Sequence, residues 1–424
     1  MLASATDQRA VYGLATASRQ AVLRLRCVRD RTAERTSAGT RGEQVTVADA
    51  NADQIEDGSG ERRRPAGTVL HVVTSTQRRG AETFAVDLAA ALADRGVPSR
   101  VVALAAGTGD DTLDVGTLGP SALGPTTLRA LRRTAAGAAA VVAHGSRTLP
   151  ACALALAGRR TPVVYRSIGD PAAWAGGGAR RLRTRLLLAR TAAVTALWPA
   201  AADAVHTLYG VPRGRLHVLP NGVPADRCPV PDAPARDAAR SGLGIPDGVP
   251  VVAVIGALSP EKRVADAVDA VAAVDGAHLL VAGDGPDRAS LERRASQALG
   301  DRAHFAGVLP GPGDALAAAD VVVSCSRTEG MPGVLIEAGL AGRPAVATDV
   351  GGVAQIVRDG ETGLLVRPGD VPGLTAGVVR ALAERDRLGA AARAHCLATF
   401  EIGPVADGWA DLLRSLGVAA GSRA

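Results

Sequence analysis

A chain of 424 residues exceeds what one ordinary hydrophobic core organises and points to two domains. Aromatic residues make up only 2%, which removes the stacking rings that single-stranded nucleic-acid binding uses and leaves packing to Ala, Val and other small aliphatic side chains. A net charge of +6, from 48 basic and 42 acidic residues, forms no basic stripe of the nucleic-acid kind and suits anionic small ligands or an anionic membrane surface.

Residues 1–66 mix Arg, Asp, Glu, Ser, Thr and Gly without periodicity and end in GSGERRRPAG (58–67), so they read as a disordered extension, with a later translation start as the alternative. Then the character changes. TVLHVV (68–73), a loop and the helical pattern AETFAVDLAAALADRG (81–96) form a strand–loop–helix unit closed by glycine. Apolar runs at RVVALAA (100–106), AAVVAHG (139–145), TPVVYRSIG (161–169), AVTALWP (193–199) and RLHVLPNGV (215–223) predict further strands of a parallel sheet covered on both faces. Residues 67–223 are thus one Rossmann-like domain.

The Pro-, Asp- and Gly-rich stretch 224–248 reads as a linker. A second series follows: VPVVAVIGAL (249–258), AHLLVAGDG (277–285), AHFAGVLP (303–310), DVVVSCS (320–326), PAVATDV (344–350) and GLLVRPG (363–369). Residues 249–400 form a second Rossmann-like domain, and 401–424 a helix returning to the first domain, with a tail. The fold class is α/β, with two doubly wound domains facing across a cleft. Loops at the carboxyl ends of both sheets would line that cleft, and its closure would exclude water.

Five scattered cysteines, with neither a CxxC pair nor a metal-ligand spacing, fit a reducing cytoplasm. No apolar run reaches the length of a membrane span, and early arginines interrupt any secretory-signal pattern. The segment 166–190, where Trp174 and several arginines flank an apolar stretch, reads either as an ordinary surface helix or as an acceptor- or membrane-facing region.

Lys262 is the only lysine, in GALSPEKR (256–263) between an apolar run and a helical pattern. A compact ammonium in an otherwise arginine-only chain suits a phosphate contact, although a solvated helix start would also accommodate it. Two carboxylates, Glu329 and Glu337, occur in SRTEGMPGVLIEAGLAGRPAVATDVGG (326–352), the first in a loop and the second in the opening turns of a helix. Free N–H groups at such a start bind anions, and a nearby carboxylate can hold paired sugar hydroxyls. Asp284 and Asp287 have the closest spacing to a metal cradle, but a turn with helix-capping duty accounts for them.

GALSPEKR followed by EGMPGVLIEAGLAGRPAVATDVGG resembles the retaining nucleotide-sugar glycosyltransferases of family 4, which have the GT-B architecture. The likeness runs through residues 67–415 and includes RRGAETFAVDLAAALADRG (78–96), VVAHGSR (141–147) and LPNGV (219–223). It implies that Lys262, and less directly Arg263, binds the donor diphosphate. Glu329 would hold hydroxyls of the transferred sugar and Glu337 the ribose. Backbone around Gly330, Met331, Pro332 and Gly333 would contact sugar and phosphate, Gly80 would approach the phosphates, and His144 would sit beside the reacting carbon. The other histidines are assigned structural roles. Ala257 stands where relatives carry arginine, and Arg79 replaces a glycine of the first loop.

The implied activity is metal-independent, cofactor-free transfer of a hexose-type sugar, with retention, from a nucleotide diphosphate sugar to a lipid, glycan or small-molecule acceptor. The cytoplasm is the expected location, with peripheral contact at the inner face of the membrane left open. The alternatives are a non-catalytic sugar-nucleotide-binding subunit or sensor, and a polysaccharide synthase or phosphorylase of the same fold. The single lysine leaves no second one for a phosphorylase's Schiff base. A dinucleotide-dependent oxidoreductase is disfavoured because RRGAE replaces GxGxxG at the first strand–helix turn.

Overall fold

The computed structural model describes residues 67–108 and 112–419; the predicted extension 1–66 lies outside them. Strands β1 (Val69–Ser75), β2 (Ser99–Ala105), β3 (Gly116–Thr117), β4 (Ala140–His144), β5 (Val163–Ser167), β6 (Ala193–Ala196) and β7 (Leu216–Val218) form the first sheet. Its order is β3-β2-β1-β4-β5-β6-β7, all parallel. The second sheet contains β8 (Val251–Ile255), β9 (His278–Ala282), β10 (Ala303–Gly307), β11 (Val321–Ser324), β12 (Ala345–Thr348) and β13 (Gly363–Val366). It runs β10-β9-β8-β11-β12-β13, again parallel.

Both sheets are doubly wound and reverse direction beside their first strand, between β1 and β4 and between β8 and β11. At such a switch point the loops diverge to opposite faces and leave a crevice at the carboxyl ends. Burial on both faces explains why the central strands, such as VVAVI of β8, read as continuous Val and Ile rather than as alternating patterns. Every predicted apolar run contains a strand. The two-residue β3 was not anticipated, because Gly116 and Thr117 are exposed at the sheet edge and carry no apolar signal.

The predicted linker is not all loop, because Ala233–Gly242 is helical. Asp232 accepts a hydrogen bond from Ala235 N, and Pro234 sits in the first turn, where its missing N–H costs nothing. This helix and the neighbouring one at Arg385–Thr399 direct Arg236, Arg240 and Arg385 onto the buried carboxylate of Asp320, at 2.5, 2.9 and 3.0 Å.

Two strands of chain cross between the domains and are tied to each other. Val223 N donates to Phe400 O at 2.9 Å, and Ile402 N donates to Val223 O at 3.1 Å. The last helix, Ile402–Ser415, packs Val405, Trp409 and Leu413 against Phe84, Leu88 and Leu92 of the helix Gly80–Ala93. Around the crossing, Trp198 of the first domain shares a core with Met331, Leu335 and Ile336 of the second. The cleft is therefore floored by apolar packing. Among the described residues no helix is long and apolar enough to cross a membrane, and Cys152, Cys228, Cys325 and Cys396 are free and buried.

Candidate active site

On the second domain the site grows from the switch point. The loops after β8 and β11 lie side by side and are joined by Arg327 N donating to Glu261 O at 2.8 Å. This brings Lys262 to Glu329: Lys262 Nζ donates to Oε1 at 2.5 Å, and Ser326 Oγ donates to the same oxygen at 2.6 Å. Two residues assigned to different parts of a ligand thus meet as an ion pair. Glu329 lines the cleft, whereas Lys262 is not among its lining residues. Arg263 departs further from its expected place. Its guanidinium holds Asp266 at 2.8 and 3.1 Å, its backbone has φ 49° at the start of the helix Val264–Ala272, and it lines no part of the cleft.

The loop 330–333 leads into the helix Gly333–Leu340, whose first residues border the cleft. Pro332 occupies the capping position without a side-chain bond and has no N–H, so anion-binding donors there belong to its neighbours. Gly330 has a purpose the sequence did not suggest. A Cβ there would lie 2.1 Å from Ile168 O, so the glycine permits the two domains to touch. Asn221, on the crossing segment, secures the same loop: its Nδ2 donates to Met331 O at 2.6 Å.

Glu337 lines the cleft one turn into that helix, and burial raises its carboxyl above the usual range. Arg227 opposes this shift and Asp87 reinforces it. Arg227 itself makes a two-pronged bond to Asp87, at 2.9 and 2.5 Å, linking the crossing segment to the helix Gly80–Ala93. Arg227, Asp87 and Glu337 form a charged group spanning both domains.

On the first domain, Gly80 opens the helix Gly80–Ala93 at the cleft, and Arg79 before it is extended and makes no capping bond. A Cβ on Gly80 would meet nothing within 4 Å, so protein packing does not demand glycine there and the open space faces any ligand. His144 ends β4, is only 2% exposed, and lies beside His71 with Nε2 at 3.1 Å from His71 Nδ1. His71, assigned a structural role, is therefore the direct partner of the candidate histidine. Burial is the main cause that lowers His71 to about 3 and holds His144 well below the ordinary range, so both imidazoles are neutral at pH 7.

His144 lines a cavity of about 560 Å³ with Thr74, Ser75, Glu82, Ser146 and Arg147. The interdomain cleft, about 900 Å³, adjoins it and shares Gln77, Arg79 and Ile168. The histidine is thus beside the main cleft rather than in its lining. Arg166, read within a surface segment, is instead buried at the end of β5 and lines the main cleft.

No group of three or more His, Cys, Asp or Glu among the described residues is placed to hold a metal ion. Asp284 lines the cleft and accepts from Gly285 N at 2.7 Å. Asp287 precedes the helix Arg288–Leu299, but its side chain makes no capping bond, contrary to the role read for it.

Two open sheets with loops converging on one cleft define the GT-B class. The fold of Anabaena Alr3699/HepE, solved with UDP-glucose, superposes with a TM-score of 0.73 at 23% identity over 82% of this chain and all of that one. WaaG, a glycosyltransferase of lipopolysaccharide biosynthesis, gives 0.63 at 19% identity over 81% and 99%.

A family model described as Glycosyltransferase Family 4 matches residues 78–227, and one described as Glycosyl transferases group 1 matches residues 249–384. The chain belongs to glycosyltransferase family 4. It is 37% identical over 212 residues to the 2-deoxystreptamine N-acetyl-D-glucosaminyltransferase of Streptomyces fradiae, covering 48% of this chain and 50% of that protein. The D-inositol 3-phosphate glycosyltransferase of Nocardia farcinica is 35% identical over 43% of each chain. A GDP-mannose-dependent alpha-mannosyltransferase of Mycobacterium tuberculosis is 32% identical over 60% of this chain and 64% of its own. The chain spans about half the length of the curated relatives it matches.

Proposed function

We propose that the protein transfers a hexose-type sugar from a nucleotide diphosphate sugar, with retention and without a metal, to an acceptor held by the first domain. The Lys262–Glu329 pair, whose carboxylate lines one cleft with the uncapped helix start at Gly333 and with Gly80, carries this reading. As the glycosidic bond breaks, the sugar gains oxocarbenium character and the diphosphate gains negative charge. Lys262 and the N–H groups at the helix start would stabilise that charge, the task a metal ion performs in other sites. Glu329 would orient sugar hydroxyls, and Glu337 would hold the ribose. Retention would follow from front-face attack, with the departing phosphate taking the acceptor's proton.

The cavity beside His144 supports acceptor binding next to the reacting carbon, since its Thr and Ser hydroxyls suit a polyhydroxylated molecule. Two relatives are named for small ring acceptors, 2-deoxystreptamine and inositol 3-phosphate, which favours a small molecule over a lipid or glycan. The helix Gly178–Leu188 supports peripheral contact with an anionic membrane from the cytoplasmic side. It exposes Leu182 at 58% and Leu186 at 61% among Arg180, Arg181, Arg183 and Arg185.

The test is nucleoside diphosphate release from a panel of nucleotide sugars with cyclitol acceptors, repeated with EDTA, and the product's anomeric configuration read by NMR. Release with a retained configuration and no effect of EDTA is expected. Tight donor binding with neither transfer nor hydrolysis would favour the sensor alternative, inversion would overturn the stereochemistry, and loss with EDTA would overturn metal independence.

A further inference from the structure

We propose that Arg166 is the first domain's contact for the leaving diphosphate, supplying positive charge from across the cleft where Ala257 supplies none; this rests on the nucleotide-sugar reading of the same site. Arg166 is the penultimate residue of β5 and is 1% exposed. Its Nη2 donates to Asn221 Oδ1, and the guanidinium carbon lies 3.8 Å from the centroid of the Phe84 ring. Nε and Nη1 have no hydrogen-bond partner. Glu82 acts on it electrostatically, but no hydrogen bond joins them. Arg79 acts on that same carboxylate, and the neutral His71 and His144 lie on the remaining side.

A buried guanidinium with two unpartnered nitrogens is unfavourable to the protein alone, and burial accordingly lowers its pKa to about 9. An anion reaching the cleft is the chemistry that would use those groups, because arginine's planar fork matches phosphate oxygens in pairs. Position selects the diphosphate. Arg166 lines the same cleft as Gly80 and Gly333, the first residues of two helices whose positive ends bring N–H groups to it.

Two residues beyond Arg166, Ile168 O packs directly against Gly330 of the loop that leads into the second of these helices. Of the other cations, Lys262 shares its charge with Glu329, Arg263 with Asp266 and Arg227 with Asp87, while Arg78 and Arg79 line the cleft as well. Arg166 has no such carboxylate bond. Sugar hydroxyls carry no charge and have Glu329 nearby.

The experiment compares wild type, Arg166→Met and Arg166→Lys by calorimetric titration with UDP, GDP and ADP, with the matching nucleosides and with inorganic pyrophosphate. In Arg166→Met, affinity for the preferred nucleoside diphosphate should fall by about 10- to 100-fold while nucleoside affinity holds, with pyrophosphate binding falling in parallel. Arg166→Lys should recover part of the loss. The ligand-free Tm of Arg166→Met should be no lower than wild type, since the variant removes a buried cation with unmet donors.

An unchanged ratio of diphosphate to nucleoside affinity would overturn the proposal. A lowered Tm with both affinities falling together would show a structural role instead. Wild type binding no nucleoside diphosphate would overturn the proposed function itself, which separates that failure from this one.

Discussion

The two Rossmann domains share a strand order but hold their polar groups in opposite states. In the second, the charged residues at the switch point are partnered before any ligand arrives: Lys262 with Glu329, Glu329 with Ser326, and Arg263 with Asp266. In the first, His71, His144 and Arg166 are buried with ring or guanidinium nitrogens that meet nothing. Of the eight buried unpartnered side-chain atoms among the described residues, Ser259 Oγ is the only one from the second domain. A preformed ion pair is stable while it waits, so one domain can present a ready donor site. Unmet buried donors weaken a fold unless a ligand uses them, and such strain concentrates at functional sites. The first domain compensates through apolar packing, including a helix borrowed from the chain's C-terminal end.

That compensation is the easiest part to break. Trp409→Ala removes a fully buried ring from the contact between the helices Ile402–Ser415 and Gly80–Ala93. It should cost about 3–5 kcal/mol in urea unfolding, the usual range for such a truncation. A loss under about 1 kcal/mol would mean that the first domain does not depend on the returning helix.

On the other side of the comparison, Lys262→Ala and Glu329→Ala should each lower kcat/KM for transfer by about 10²–10³-fold. Their double variant should cost far less than the product of the two losses, because each single change strands its partner. Additive losses would show that the pair acts as two independent contacts.

The histidine pair links folding to pH with a definite sign. At neutral pH folded and unfolded states both hold His71 neutral, but below about 6.5 the unfolded chain takes up a proton that the buried ring refuses until about 3. Stability contributed by His71 is therefore whole above about pH 6.5 and lost progressively as pH falls toward 3. The slope approaches about 1.4 kcal/mol per pH unit, and His144 adds loss in the same direction. Unfolding titrations between pH 7 and 4 should show this limb in wild type and a flatter one in a His71→Leu/His144→Leu variant. Equal slopes would remove the pair from the account.

Charge spanning the domains gives a smaller effect. Arg227 opposes the upward shift of Glu337, so Arg227→Met should raise that carboxyl further and make nucleotide affinity fall at a higher pH than in wild type. An unchanged pH profile of Kd would disconnect the two residues. The least effect is expected for Arg263→Ala, below about threefold in kcat/KM, because that guanidinium is committed to Asp266 on a partly exposed helix start. A large loss would return Arg263 to the donor site.

Much of this architecture was readable. Strands buried on both faces write themselves as unbroken Val and Ile runs, and Lys262 and Glu329 stand in loops, with Glu337 in the helix that follows, amid distinctive Gly and Pro spacing. The two-residue β3 buries nothing and leaves no trace. Helix Ala233–Gly242 was hidden because proline and aspartate were read as breakers, although Asp232 followed by Pro234 is a helix-start signature. Pairing of Lys262 with Glu329 depends on β8 and β11 being neighbours, which spacing along the chain does not reveal. Arg166 was missed for another reason: arginine supplies nearly every positive charge here, so one more inside a strand run carried no signal until burial distinguished it.

The most direct test of the central claim is a thermal-shift titration of purified protein against a panel of UDP-, GDP- and ADP-sugars, in wild type and Lys262→Ala. A donor at a hundredfold excess over its Kd stabilises the fold by about 2.7 kcal/mol, which is well resolved as a rise in Tm. At least one nucleotide sugar should produce that rise in wild type, and Lys262→Ala should abolish it. No rise with any donor, or the same rise in both proteins, would contradict the claim.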